Sequence, residues 1–172
     1  MRKIILYSAM SLDGFVARTD GSVDWLFADT GEDYGYGNFY EKIDLTLMGN
    51  RTYRQVLTFG NFPYADKTNY VFTRNTATKD DEHVQFVHED LVGFATDLKQ
   101  QPGKDIWLVG GGQINTVFLN AALIDEMILS VHPLILGSGI PLFAGNPATT
   151  DFSLQHTQAF DRGLVQLRYR YR

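Results

Sequence analysis

The stretch of this chain that most limits its fold is residues 106–119, IWLVGGGQINTVFL. Ile106, Leu108 and Val109 stand in a short apolar run with no charge, the pattern of a strand buried on both faces. Three consecutive glycines follow, Gly110, Gly111 and Gly112, and then Ile114, Val117 and Phe118 fall on one helical stripe. Strand, bare turn and helix in that order expose backbone N–H groups at a helix start, where partial positive charge suits an anion. Without Cβ atoms the backbone also admits a phosphate closely. The stretch therefore predicts the diphosphate seat of a nucleotide cofactor. The spacing is not G-x-G-x-x-G, and the acids Asp125 and Glu126 come too early for a ribose-binding carboxylate about 20 residues on. A classical dinucleotide fold is disfavoured.

A second junction of the same kind lies upstream. Residues 45–48 form an apolar strand that runs into Gly49, Asn50, Arg51 and Thr52, with a hydroxyl and a guanidinium at the helix start. Asn50 is open to a second use as an N-cap. A third strand, residues 69–73, ends in Thr73 and Arg74, and Arg74 suits a phosphate on an adenosine ribose as well as a solvated loop. In a mostly parallel sheet the tips at Gly49, Thr73 and Gly110 converge on one edge, where open α/β sheets hold ligands.

The other elements follow from periodicity and turn chemistry. Residues 4–10 read as a buried first strand, leading to the turns Asp13-Gly14 and Asp20-Gly21. Residues 84–87 are a short strand, and 89–101 a helix with Leu91, Ala95 and Leu98 inward. Residues 123–132 complete a strand–helix–strand unit from 106, which implies parallel neighbours. Residues 152–160 and 164–172 flank Asp161-Arg162-Gly163 as a hairpin. The sum is an α/β domain, residues 1–172, with a C-terminal antiparallel hairpin.

Residues 25–40 gather Trp25, Phe27, Tyr34, Tyr36, Phe39 and Tyr40 among Asp29, Glu32 and Asp33. Rings and carboxylates suit a flat, nitrogen-rich heterocycle. An amphipathic helix with its rings in the core is the alternative, and the near-helical spacing of Phe39, Tyr40 and Ile43 supports it.

Charge and composition narrow the function. A net charge of −5 argues against nucleic acid as a partner. Without cysteine there is no disulfide or thiolate chemistry. No apolar run approaches a membrane span of ~18 residues, no signal peptide is visible, and a cytoplasmic location is expected. Only four histidines occur, with no metal-ligand spacing and no Ser-His-Asp arrangement, so a hydrolase is disfavoured and no metal is expected.

Taken in order, SLDGFVARTDGSVDWL, LMGNRTY, VFTRN, LVGGGQINTVFL and LIDEMILSVHPLILGSGIPLF resemble the dihydrofolate reductase-like superfamily. The branch they resemble is the reductase domain of bifunctional riboflavin-biosynthesis deaminase-reductases. The resemblance implies a mixed, mainly parallel sheet flanked by helices, with NADPH across the strand ends. It implies that Gly49, Asn50, Arg51 and Thr52 hold the adenosine and diphosphate side, with 2′-phosphate recognition leaning on Arg51, Thr73 and Arg74. Gly110, Gly111, Gly112, Gln113 and Ile114 match the glycine loop over diphosphate and nicotinamide ribose. Ala9 and Met10 match the strand end at the nicotinamide, and Asp13, Gly14 and Phe15 the loop that closes over it.

The family also implies an acid near the first helix as proton donor, for which a carboxyl of raised pKa would serve. The candidates are Asp29, Glu32 and Asp33, with Asp24 behind them. The implied activity is NADPH-dependent hydride transfer to a small pteridine- or pyrimidine-like heterocycle, in a homodimer. Dihydrofolate reductase proper, or an NADPH-binding protein without turnover, are the alternatives. The Asp-Asp-Pro segment of the riboflavin reductases is replaced here by Tyr53-Arg54-Gln55-Val56-Leu57.

Overall fold

Ten strands and four helices alternate along the chain in a computed structural model that describes residues 1–27, 31–88 and 90–172. Eight strands make one sheet: β1 (Ile4–Ser11), β3 (Ile43–Gly49), β4 (Thr68–Phe72), β5 (Gln85–Val87), β6 (Asp105–Gly110), β7 (Glu126–His132), β9 (Phe152–Ala159) and β10 (Val165–Tyr171). Their spatial order is β5-β4-β3-β6-β1-β7-β10-β9. The first six in that order are parallel, and β10 and β9 close the edge as an antiparallel hairpin around the turn Asp161–Gly163. A second, two-stranded sheet pairs β2 (Phe15–Ala17) with β8 (Ile140–Pro141). The expected mixed, mainly parallel sheet with a C-terminal hairpin is therefore present.

Alternation along the central strands fills both faces. Ile4 and Leu6 of β1, with Ile106 and Leu108 of β6, pack beneath α3 (Leu91–Gln100) and α4 (Gly112–Asn120). On the opposite face Ile5, Ile43 and Trp107 meet Phe39 of α1 (Tyr36–Tyr40), while Met48 and Val71 meet Tyr53 and Val56 of α2 (Asn50–Leu57). Phe118 of α4 is fully buried. Among the described residues no helix is long and apolar enough to cross a membrane.

Three local expectations need correction. The strands that flank α4 are parallel but not adjacent, because β1 inserts between β6 and β7 and pairs with both. The helix expected from residue 89 begins at Leu91, and Asp90 caps it by accepting from Gly93 N at 2.9 Å. Position 89 lies outside the described residues. At the second junction Gly49, rather than Asn50, is the N-cap, so Asn50 opens α2.

The rings of residues 25–40 mostly pack inward. Tyr7 stacks on Phe39 at 4.3 Å between centroids, and Trp107 meets Tyr36, Phe39 and Tyr40 edge-on. Trp25 and Phe27 pack on His132, a buried residue of β7. Its Nδ1 lies 3.3 Å from the Ser130 carbonyl and its Nε2 3.5 Å from Phe27 N, the pattern of a neutral ring, and burial pushes its pKa down.

The sheet is also pinned by charge at the β7 start. Glu126 is 1% exposed, yet it takes Lys3 Nζ at 2.6 Å and Arg168 Nη2 at 2.6 Å. Burial pushes its carboxyl up, but the hydrogen bonds and charges of Lys3 and Arg168 more than offset this, leaving it below the ordinary 4.5. A carboxyl whose folded pKa is depressed contributes fully above its unfolded value, and that contribution is lost as pH falls through the folded value. Glu126→Gln is expected to cost about 2 kcal/mol at pH 7, since both cations are half-exposed. Urea unfolding of wild type and variant should show this gap narrowing as pH falls below about 4.5.

Candidate cofactor and substrate cleft

The C-terminal tips of β5, β4, β3, β6 and β1 open onto one cleft of about 1210 Å³. At its middle two helix starts abut. A Cβ built on Gly49 would lie 3.1 Å from Ile114 Cγ1, and one on Gly111 would lie 3.2 Å from Thr52 Oγ1. Neither α2 nor α4 has a side-chain N-cap: the capping positions are Gly49 and Gly111. Two sets of helix-start amides, with their dipoles aimed at one space, make a strong seat for an anion.

The three glycines of the loop do different work. Gly110 ends β6 with φ +112°, the left-handed region, and its missing Cβ leaves room for Asn115 Oδ1. It is buried and does not line the cleft. The peptide from Gly110 to Gly111 is cis. Gly111 and Gly112 do line it, but a Cβ on Gly112 would collide with the Pro141 carbonyl, so that glycine is required by packing.

Of the other residues singled out in the sequence, Ala9, Gly49, Asn50, Arg51, Thr52, Thr73, Arg74, Gln113 and Ile114 also line the cleft. Met10 packs into the core below α4 instead. Gly14 stands outside the wall, its carbonyl accepting from Leu142 N at 2.9 Å. Its neighbour Asp13 ties the same loop down, accepting from Ser11 Oγ at 2.6 Å, Leu136 N at 3.1 Å and Gly137 N at 2.7 Å. The Ser11 bond, with those two amides, holds the Asp13 carboxyl below its usual range although the group is exposed.

The candidate acids among the described residues do not line the cleft. Asp29 lies outside the described residues. Asp33 accepts from Gly35 N at 2.8 Å and Gly37 N at 3.0 Å, the acceptor that starts α1. Glu32 is exposed beside Tyr34, Asp161 and Arg162, in a small separate pocket. Asp24 pairs with Arg18 at 2.6 Å. The carboxylate that does line the cleft among the described residues is Asp90, the α3 cap.

Two cleft residues carry little signal of a site in the sequence. His88 follows β5 at the cleft wall, and its buried Nδ1 has no partner among the described residues. Asn115 is 2% exposed; its Nδ2 donates to the Leu142 carbonyl at 2.8 Å, while its Oδ1 has no partner among the described residues. Buried polar atoms are nearly always satisfied, so two orphans on one wall fit a polar ligand between the β5 tip and the glycine loop. Arg74 adds a guanidinium with no hydrogen bond or ion pair among the described residues, and Arg51 donates only to the Thr19 carbonyl, at 3.3 Å. The donor set fits an NADPH-type dinucleotide: amides and cations for phosphates, and a small residue, Ala9, at the far strand tip.

A mainly parallel sheet with a cleft at its strand tips and glycine-headed helices over it defines the dihydrofolate reductase-like class. Within that class, residues 2–166 match the RibD C-terminal domain family, and the chain belongs to it. It is 45% identical over 170 residues to the uncharacterized protein YwjB of Bacillus subtilis (strain 168), covering 98% of this chain and 97% of that one. A crystal structure from Shewanella sp. PV-4, described as a candidate riboflavin biosynthesis protein, superposes with a TM-score of 0.87 at 30% identity over 99% of both chains. A Thermotoga maritima diaminohydroxyphosphoribosylaminopyrimidine deaminase/5-amino-6-(5-phosphoribosylamino)uracil reductase shares the fold alone, with a TM-score of 0.74 at 15% identity. That match covers 99% of this chain and 57% of the Thermotoga chain.

The glycine geometry separates binding from folding. Gly111→Val keeps an allowed backbone (φ −88°) and places its methyls at Thr52 and in the cleft. It is expected to weaken NADPH binding at least tenfold with a small change in melting temperature. Gly112→Ala is expected to lower the melting temperature by several degrees, because a backbone carbonyl must shift. Fluorescence titration and thermal unfolding of both variants check the contrast.

Proposed function

We propose that the chain is an NADPH-dependent reductase that transfers hydride to a small pteridine- or pyrimidine-like heterocycle. The observation that carries this reading is the meeting of two helix starts, neither capped by a side chain, at the tips of adjacent parallel strands. Membership of a family named for a riboflavin-biosynthesis reductase domain supports it. Bound NADPH would supply the hydride; the chain binds and orients it. The helix-start amides at Asn50–Thr52 and Gly112–Ile114 would take the diphosphate, and Arg74 and Thr73 the phosphate on the adenosine ribose. His88 Nδ1 and Asn115 Oδ1 would find their hydrogen bonds on the same molecule. The ring-lined end beyond Ala9 would hold the acceptor at close range and away from water. A homodimer is part of the proposal, carried by family resemblance and checked by sedimentation.

One observation favours a second reading, a nucleotide-binding protein without turnover. Among the described residues no carboxylate reaches the end of the cleft beyond Ala9. NADPH oxidation assays with pteridines, pyrimidines and dihydrofolate separate the two: turnover of any of them establishes the reductase, and NADPH binding with no turnover supports the sensor. In either case NADPH is expected to bind at least tenfold more tightly than NADH. Arg74→Ala should erase most of that difference while leaving NADH affinity within about twofold. Equal affinities in the wild type would remove the 2′-phosphate from this site.

A further inference from the structure

The cleft divides by strand order into two ends of different chemistry. Its β4–β5 end carries Thr73, Arg74 and His88; its β6–β1 end carries Tyr7, Ala9, Trp107 and Val109, with Tyr64 facing them. Tyr64 meets Trp107 at 4.9 Å between centroids and 70°, and Tyr7 meets Trp107 at 6.1 Å and 83°. Such ring walls accept a flat molecule by stacking and edge contact.

The phenols there carry no charge. Burial pushes Tyr64 up to about 12. Burial also raises Tyr7, more than its side-chain hydrogen bonds with Gln166 and Ser130 lower it. Ser130 lies level with Ala9 across β1 and β7, and Gln166 level with Ser130 across β7 and β10. This row of uncharged hydrogen-bonding groups lies at the strand tips beside the ring-walled end.

Cations are missing from this end. The Lys and Arg residues on the cleft wall are Arg51 and Arg74, one opening α2 and the other at the β4 tip. Residues 28–30 and 89 contain neither Lys nor Arg. Of the flanking cations, Arg18 pairs with Asp24 at 2.6 Å, Lys67 pairs with Asp66 at 3.1 Å while lying 4.0 Å from the Tyr40 ring, and Arg162 lies over the Phe27 ring at 4.1 Å. A phosphate placed among rings and neutral phenols would lose its hydration with no counter-charge.

We propose that the β6–β1 end of the cleft takes a flat, uncharged heteroaromatic ring that bears no phosphate. The inference rests on the reductase reading, which assigns Arg74 to the cofactor's ribose phosphate and sets Arg51 at the α2 start, where the diphosphate would lie. It makes the substrate chemically distinct from a phosphoribosylated pyrimidine. Discrimination comes from the missing counter-charge, and affinity from Tyr64, Trp107 and Tyr7.

The test uses the full chain saturated with NADP⁺, whose own binding is measured first by calorimetry. Lumazine, 6,7-dimethyl-8-ribityllumazine with its 5′-phosphate, and uridine with UMP are then titrated. The neutral lumazines are expected to bind, and each neutral member to bind at least tenfold more tightly than its phosphate. Tyr64→Ala should weaken lumazine at least fivefold with NADP⁺ affinity unchanged, and Tyr64→Phe should restore it. Equal or tighter binding of the phosphates overturns the proposal. So does failure of every neutral ring to bind the NADP⁺-loaded protein, or indifference to Tyr64→Ala. Failure of NADP⁺ itself to bind sinks the reductase reading, and this inference with it.

Discussion

The contact between two helix starts, Gly49 against Ile114 and Gly111 against Thr52, governs the rest of the site. Helices α2 and α4 lie on opposite faces of the sheet, so their N-termini meet only because β3 and β6 are neighbours and end together. A side chain at Gly49 would crowd Ile114, and one at Gly111 would crowd Thr52 and enter the cleft. With them absent, helix-start amides that no side chain caps face a single space from both helices, and an anion there would be stabilised by two dipoles. The cation pair Arg51 and Arg74 adds to this field, while the aromatic end stays outside it.

Much of this architecture is legible in the residues. Residues 4–10, 45–48 and 106–109, within β1, β3 and β6, are short uncharged runs because both of their faces are covered, and that pattern survives in one dimension. Glycines at 49 and 110–112 mark the strand ends for the same reason. The insertion of β1 between β6 and β7 is not legible, since a right-handed crossover is equally satisfied with one strand skipped. Nor is the reason for Gly112: the Pro141 carbonyl that forbids a Cβ there comes from a segment whose path no local pattern gives.

The site was readable where it depends on backbone and opaque where it depends on partners. Glycine loops announce themselves, but His88 and Asn115 stand out because, among the described residues, nothing satisfies one atom of each, a property only the assembled structure has. The one available signal was weak: each follows closely on a strand end. Residues 25–40 stand out in the sequence for their rings and acids. Yet Phe39 and Tyr36 form the floor under Tyr7 and Trp107, and Asp33 serves its own helix start. Tyr64, a ring that faces the cleft from a loop, sits in a stretch that reads only as a connection.

The position of β1 has a cost in time. It is the middle of the sheet's apolar core, yet both strands that flank it come from residues 105–132, so Lys3 N waits for a carboxylate 102 positions later. During synthesis β3, β4 and β5 can associate with one another first, while an unpaired, uncharged ribbon headed by Ile4, Ile5 and Leu6 remains open to wrong partners. The central element of the finished molecule is thus an orphan on the ribosome for most of the chain's production, and aggregation in this family should originate there.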